Sequence, residues 1–156
     1  MPNDAGVPRA RSKTVATWLA FLGGSLGLHR FYLHGARDVW GWLLIPPTLV
    51  GLWGVQRMRA LGQDDVLAWF LVPWLGLTFA ITMLEAIVYG LTPRERWQAR
   101  HDAGRSTRSW PWLDVIGVVG ALAVGAIVLI ATIAFVAQRT FESLAPAQSK
   151  SQRLAP

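Results

Sequence analysis

The stretch KTVATWLAFLGGSLGLHRFYL, residues 13–33, decides the fold class of this chain. A lysine opens it and an apolar segment follows. The glycine-rich stretch GGSLG at 23–27 separates that segment from HRFY at 29–32. This order leaves the charge in water, places the apolar body in hydrocarbon and puts amphipathic side chains at the boundary between them. The stretch therefore predicts a helix embedded in a membrane.

The composition extends this prediction to the whole chain. Its 156 residues are 53% hydrophobic and 15% charged, whereas a soluble domain carries about 25% charged residues. The apolar residues form separate runs that approach the roughly 20 residues needed to cross about 30 Å of hydrocarbon. We therefore predict an all-α, polytopic membrane protein with three to four membrane-embedded helices and a short interfacial helix.

Charge and cysteine content exclude several classes of function. The formal net charge is +6, and the arginines lie in the short segments between apolar runs. That placement is typical of the Lys/Arg excess in cytoplasmic loops, so we expect no nucleic-acid partner. The chain has no cysteine, which excludes disulfides, thiolate metal sites and cysteine nucleophiles.

The apolar runs and polar breaks divide the chain into five parts. They are a flexible basic tail (1–12), a membrane domain (13–98), a basic loop (99–111), an additional transmembrane helix (112–138) and a disordered Ala/Pro/Ser/Gln-rich tail (139–156).

The second apolar run, 39–55, is interrupted by the adjacent prolines Pro46 and Pro47. Two prolines remove two backbone donors and kink or break a helix, so this run is a kinked span, a re-entrant element or an interfacial helix. If it does not cross, the chain has three spans, with its N-terminus and the Arg94–Arg108 loop both cytoplasmic. If it crosses, there are four spans and the loop is external. The five arginines of that short loop favour the first layout.

The motif GSLGLHRFYL at residues 24–33 resembles the signature of the TM2-domain proteins, called NINE proteins in bacteria. The resemblance extends from about Arg11 to Trp97, with 46–65 as an insertion into a compact two-helix unit. It implies a small, multi-pass protein of the bacterial inner membrane with undefined activity and no catalytic residues. The motif residues are either a recognition element for a lipid or partner helix, or an interfacial anchor: Gly24, Gly27, His29, Arg30, Phe31 and Tyr32.

Glu85 is the most informative charge, because it lies inside the third apolar run, 66–91. The resemblance matches it to an acidic residue near the end of the family's second helix. Carboxylates inside a membrane are costly and mark functional sites or internal pairs. In an antiparallel arrangement of the first and third runs, Lys13 and Thr17 lie at the level of Glu85, so we predict that they hold it.

The sequence supplies no signature of catalysis. It contains no nucleophile elbow or phosphate-binding loop, and the spacing of His29, His34 and His101 does not favour a metal site. We therefore expect no enzyme activity, cofactor or metal. Two classes of function stay open. One is a structural or adaptor protein that binds membrane lipid, another membrane protein or a second copy of itself. The other is a small transporter or channel component that uses Glu85.

Overall fold

A computed structural model describes residues 11–101 and 110–153, with the backbone alone at 145–153. The described residues form helices and no strand. In chain order the helices are α1 (Lys13–Gly23), a 3-10 turn (Gly24–Leu26), α2 (Leu28–His34), α3 (Val39–Leu61), α4 (Val66–Leu91), α5 (Arg94–His101) and α6 (Pro111–Arg153). The all-helical prediction is confirmed.

The stretch 13–33 folds as a helical hairpin and not as one helix. Gly27 has φ +72°, a left-handed conformation that L side chains avoid, and its backbone lies directly against the carbonyl of Gly41 in α3. The turn sends α2 back toward the start of α1, where the Ser12 amide donates to the Tyr32 hydroxyl over 3.0 Å. Helix α1 has 11 residues and rises about 16 Å. It is therefore too short to cross about 30 Å of hydrocarbon.

Helix α3 continues through Pro46 and Pro47 for 23 residues. The two prolines remove only the hydrogen bonds that would end on the carbonyls of Trp42 and Leu43, so the turns on either side persist. Asp38 caps the start by accepting from the Trp40 amide at 3.3 Å. The segment with the two prolines is therefore part of one continuous helix.

Two of the described helices are long and apolar enough to cross a membrane, α4 over its full length and α6 over Pro111–Leu144. Helix α6 continues to Arg153. The predicted disordered tail is thus helical to that residue, since its Ala, Gln, Lys and Arg residues favour helix. Residues 1–10, most of the predicted flexible tail, lie outside the described part of the chain, as do 102–109 of the basic loop and 154–156.

Helix α4 is the centre of the bundle and packs against α1, α3 and α6. The buried residues are mainly small, namely glycines, alanines and threonines, and the buried alanines and threonines are Ala16, Ala20, Ala68, Ala86, Ala121, Thr14, Thr17, Thr48, Thr78 and Thr82. Thr17, for example, donates to the Lys13 carbonyl at 3.1 Å, and its methyl group lies between Gly90 of α4 and Gly117 of α6. Such small residues let helix backbones approach closely, as they do between helices in lipid.

The helices meet at two ends of the bundle. Glycines 51 and 54 of α3 face Leu75 and Leu71 of α4, so these two helices are antiparallel. At one end, the start of α1 contacts the start of α6 through the Lys13–Asp114 pair. It also contacts α5, where the Trp97 indole donates to the Arg11 carbonyl at 2.8 Å. At the other end, the Arg139 guanidinium of α6 donates to the Gln63 carbonyl between α3 and α4.

Candidate functional site: the motif and the acid of α4

His29 and Arg30 of the hairpin reach Glu85 of α4. The His29 Nε2 atom lies 2.7 Å from Glu85 Oε2, and Arg30 Nη1 donates to Glu85 Oε1 over 3.1 Å. The His29 side chain is completely buried, whereas the Glu85 side chain is 26% exposed. Two positions that are adjacent in α2 thus contact both oxygens of the one charged residue of α4.

Asp38 extends this contact into an ion-pair cluster, which we define as His29, Arg30, Asp38 and Glu85. The Arg30 Nε atom donates to Asp38 Oδ2 at 2.9 Å, and His34 Nδ1 lies 3.7 Å from the same oxygen. Burial acts to raise the pKa of Asp38, but the hydrogen bond and positive charge of Arg30 outweigh it. The pKa therefore lies below its ordinary value of 3.8.

Aromatic rings cover the cluster on the side of α5. The Tyr89 ring lies 5.8 Å from the His29 ring and 6.0 Å from the Trp97 ring, and Trp97 stacks on His101 at 4.4 Å. Trp97 is only 3% exposed. Trp97 therefore docks helix α5 onto the start of α1 and onto Tyr32 and Leu33 of α2.

The remaining motif residues shape the hairpin. Gly24 packs against Thr82 of α4, where an added Cβ would lie 2.7 Å from the threonine Cβ. Phe31 packs against Gly41 and stands edge-on to the Trp42 ring at 5.4 Å. Glycine, histidine, arginine and phenylalanine of one short stretch therefore all help to dock the hairpin against α3 and α4.

The structure gives Glu85 partners other than Lys13 and Thr17. The Lys13 Nζ atom lies 3.5 Å from Asp114 Oδ2, and the Thr17 hydroxyl bonds within its own helix. The predicted pairing assumed that α1 supplies the nearest cation. The turn at Gly27 instead brings α2 back along α1 and against α3, from where the His29 and Arg30 side chains reach the carboxylate.

Sequence reasoning missed Asp38 and Asp114 as partners. An aspartate directly before an apolar helix, as at Asp38, indicates an N-cap, and this signal was available. No such signal indicated the bond between Asp38 and Arg30, because that bond forms only when α2 turns back toward α1. Asp114 was hidden in the first turn of α6, at a position that faces Lys13 only after α1 and α6 pack together.

A groove of about 700 Å³ lies beside the ion-pair cluster between α3 and α4. Arg30 and Glu85 line one end, and the rest of the wall is mainly apolar, including Leu43, Pro47 and Trp74. The volume is within the range of small-molecule sites, about 300–1,000 Å³. An apolar groove with charged residues at one end is suited to an amphiphilic ligand.

No cluster of three or more His, Asp or Glu side chains in the described residues could hold a metal ion. The site residues instead form one guanidinium–carboxylate network with a buried imidazole, which lies against Glu85 and neither of whose ring nitrogens makes a hydrogen bond among the described residues. Such a network joins helices and offers charges to a ligand at the groove.

A comparison with protein families gives a match over the first part of the chain. Residues 9–56 match the family model of the TM2 domain, which supports the resemblance seen in the motif and the membrane character of the chain. The match covers α1, α2 and most of α3, whereas Glu85 in α4 lies beyond its last residue. Comparisons with curated proteins and with solved structures each gave no significant match.

Proposed function

We propose, from the TM2 domain that this chain carries, that it is a multi-pass protein of the cytoplasmic membrane with a structural or adaptor role. In this role it binds lipid or another membrane protein and catalyses no reaction. The observation that carries the proposal is that Glu85 already has basic partners within the chain. Both of its carboxylate oxygens contact basic side chains of the motif, so the one acid of α4 holds the hairpin in place.

The proposed layout keeps the three crossings favoured by the sequence but assigns them to α3, α4 and α6. Because α1 has only 11 residues, the first apolar run, and not the run at 39–55, is the one that fails to cross. The α1–α2 hairpin enters and leaves the membrane on one side. This layout is supported by the contact of Trp97 with Arg11, which puts α5 and the start of α1 at the same end of the bundle. The arginines of α5 and its loop make that end cytoplasmic. The C-terminus then lies outside.

Single cysteines test this layout, since the natural chain has none. In intact cells, Ala36→Cys and Ser106→Cys should both resist a membrane-impermeant maleimide, and Gln63→Cys should react. Each variant is labelled again after the membrane is permeabilised, which controls for accessibility. Labelling of Ala36→Cys in intact cells would show that α1 crosses the membrane, and the hairpin layout would be wrong.

A second candidate function is transport through Glu85, favoured by the position of this carboxylate beside the groove and by its partial exposure. Proteoliposomes containing the purified protein separate the two functions. The structural role predicts ion and proton leakage equal to that of empty liposomes, in both wild type and Glu85→Gln. Flux in the wild type that Glu85→Gln abolishes would favour transport and contradict the structural role.

A further inference from the structure

We propose that the groove between α3 and α4 binds one phospholipid with an ethanolamine headgroup, with the headgroup at Arg30 and Glu85 and an acyl chain along the apolar wall. This inference rests on the proposed membrane location and structural role, and it names the lipid class that the groove takes.

The length of the groove fits one leaflet of a bilayer. Its wall on α4 extends from Glu85 to Trp74, which are 11 residues apart in the helix, or about 16 Å along its axis. Half of the roughly 30 Å of hydrocarbon in a bilayer is about 15 Å. An acyl chain of one leaflet is therefore about as long as the wall from Glu85 to Trp74.

The charged end of the groove lies at a suitable depth for a headgroup. Helix α4 has 26 residues and rises about 39 Å, so it exceeds the hydrocarbon thickness by about 9 Å. Glu85 is six residues before the end of α4 at Leu91. With the excess shared between both ends, its carboxylate lies within about 5 Å of the hydrocarbon boundary.

The remaining hydrogen-bonding capacity at this end matches a zwitterion. Arg30 has five N–H donors, and only Nε and Nη1 carry bonds to described residues, so Nη2 is available to a phosphate. The Glu85 carboxylate has about four acceptor sites and two basic neighbours, so lone pairs are available to an ammonium group. A phosphoethanolamine presents both charges a few atoms apart.

The same contacts discriminate against other common headgroups. A choline carries no N–H, so it cannot donate to Glu85. The Trp40 ring of the groove wall already has a cation partner, because the Arg30 guanidinium lies 6.0 Å from its centre. An anionic glycerol headgroup has no cation for Glu85, and its phosphate alone would meet two carboxylates, Asp38 and Glu85, around a single arginine.

Lipid retention tests the proposal. The full chain is purified from nanodiscs that contain equal amounts of phosphatidylethanolamine, phosphatidylcholine and phosphatidylglycerol with identical acyl chains, and the retained lipid is measured by native mass spectrometry. We expect one ethanolamine lipid per chain, enriched about tenfold over choline lipid, since a hydrogen bond to a charged group has roughly that effect. Equal retention of the three lipids, or preference for either of the others, would overturn the proposal.

Two bulky substitutions locate the bound lipid. Ile81 lines the groove and is 45% exposed, so Ile81→Trp fills the groove without disturbing the core. Leu43→Trp fills it from α3 and serves if the first variant fails to fold. Ile130 on α6 is 67% exposed, and Ile130→Trp is the matched control. We expect the groove variants to lose the enriched lipid and the control to keep it. Retention in a groove variant of normal melting temperature would place the lipid elsewhere.

The result is separable from the proposed structural role. Absence of a lipid preference together with absence of flux would remove the lipid assignment alone. Flux that depends on Glu85, without lipid retention, would remove the structural role as well.

Discussion

The α1–α2 hairpin and helix α6 are held in the membrane by different kinds of contact. The hairpin is short, and it buries several residues completely or almost so, including Thr17, His29 and Leu33. Helix α6 is long and presents most of its apolar side chains outward, with Ile127 and Ile130 more than 60% exposed. One element is held by specific polar contacts, and the other can be held in hydrocarbon by its apolar surface alone.

The comparison explains why the hairpin depends on paired charges. A helix of 11 residues cannot satisfy the thickness of the bilayer, so its position depends on its neighbours. His29 and Arg30 supply that dependence by binding Glu85, and the Gly27 turn allows the close approach to α3 that they require. We therefore expect mutations of the hairpin to cost far more stability than mutations of the exposed face of α6.

The largest expected effect comes from Glu85→Ala. It leaves Arg30 with one partner and the buried His29 beside an empty space, and loss of one member of a buried pair costs about 3–5 kcal/mol. Because Glu85 is partly exposed, we expect about 3 kcal/mol, the low end of that range, measured by denaturation in detergent. The matched control is Glu142→Ala, which breaks the 2.7 Å pair with Arg139 at an exposed carboxylate and should cost much less stability, because solvent screens an exposed pair. Equal losses would contradict the special role of the hairpin.

Gly27→Ala should have the next largest effect. An alanine at φ +72° costs about 1–2 kcal/mol, and its Cβ would also overlap the Gly41 carbonyl. Gly27→Asn separates the two causes, because asparagine tolerates the left-handed conformation but still carries a Cβ. We expect Gly27→Asn to be nearly as unstable as Gly27→Ala. Recovery with asparagine would show that the conformation alone demands glycine, and that α2 and α3 can move apart.

A smaller effect is expected at the pair that joins the hairpin to α6. Lys13→Met should leave Asp114, which is 5% exposed, without its cation. The substitution should couple to Asp114→Asn by about 0.5–1 kcal/mol and be additive with Glu85→Gln. Thermal stability of the single and double variants in detergent measures both couplings. Coupling of Lys13 to Glu85 would restore the arrangement first inferred from the sequence and would contradict the return of α2.

The smallest effect is a pH dependence at the opposite end of the bundle, far from the hairpin. Arg57 donates to both oxygens of Asp65, at 2.6 and 3.1 Å, and lowers the pKa of that carboxyl below its ordinary 3.8. A lowered pKa contributes stability above the ordinary value, and this contribution is lost as the pH falls through the folded-state value. The melting temperature of wild type should thus exceed that of Arg57→Gln at neutral pH, and the difference should shrink below about pH 4. A difference that does not change with pH would exclude the pair as its cause.

The sequence by itself determined the class of the fold and the elements of the site. Long apolar runs predict helices in a membrane because unpaired backbone groups are not tolerated there. A charged residue among them, Glu85, indicates an internal partner for the same reason. The motif at 24–33 identified the TM2 domain through residue types alone, and the family comparison over 9–56 agrees.

Only the tertiary structure decided which charges meet. Whether the stretch 13–33 is one helix or a hairpin depends on the backbone angle of Gly27, which packs closely against Gly41 of α3, outside that stretch. That angle turns α2 back and brings His29 and Arg30 to Glu85, and it leaves Lys13 for Asp114. Charge pairing between helices depends on three-dimensional distance, and spacing along the sequence fixes that distance only within a single helix.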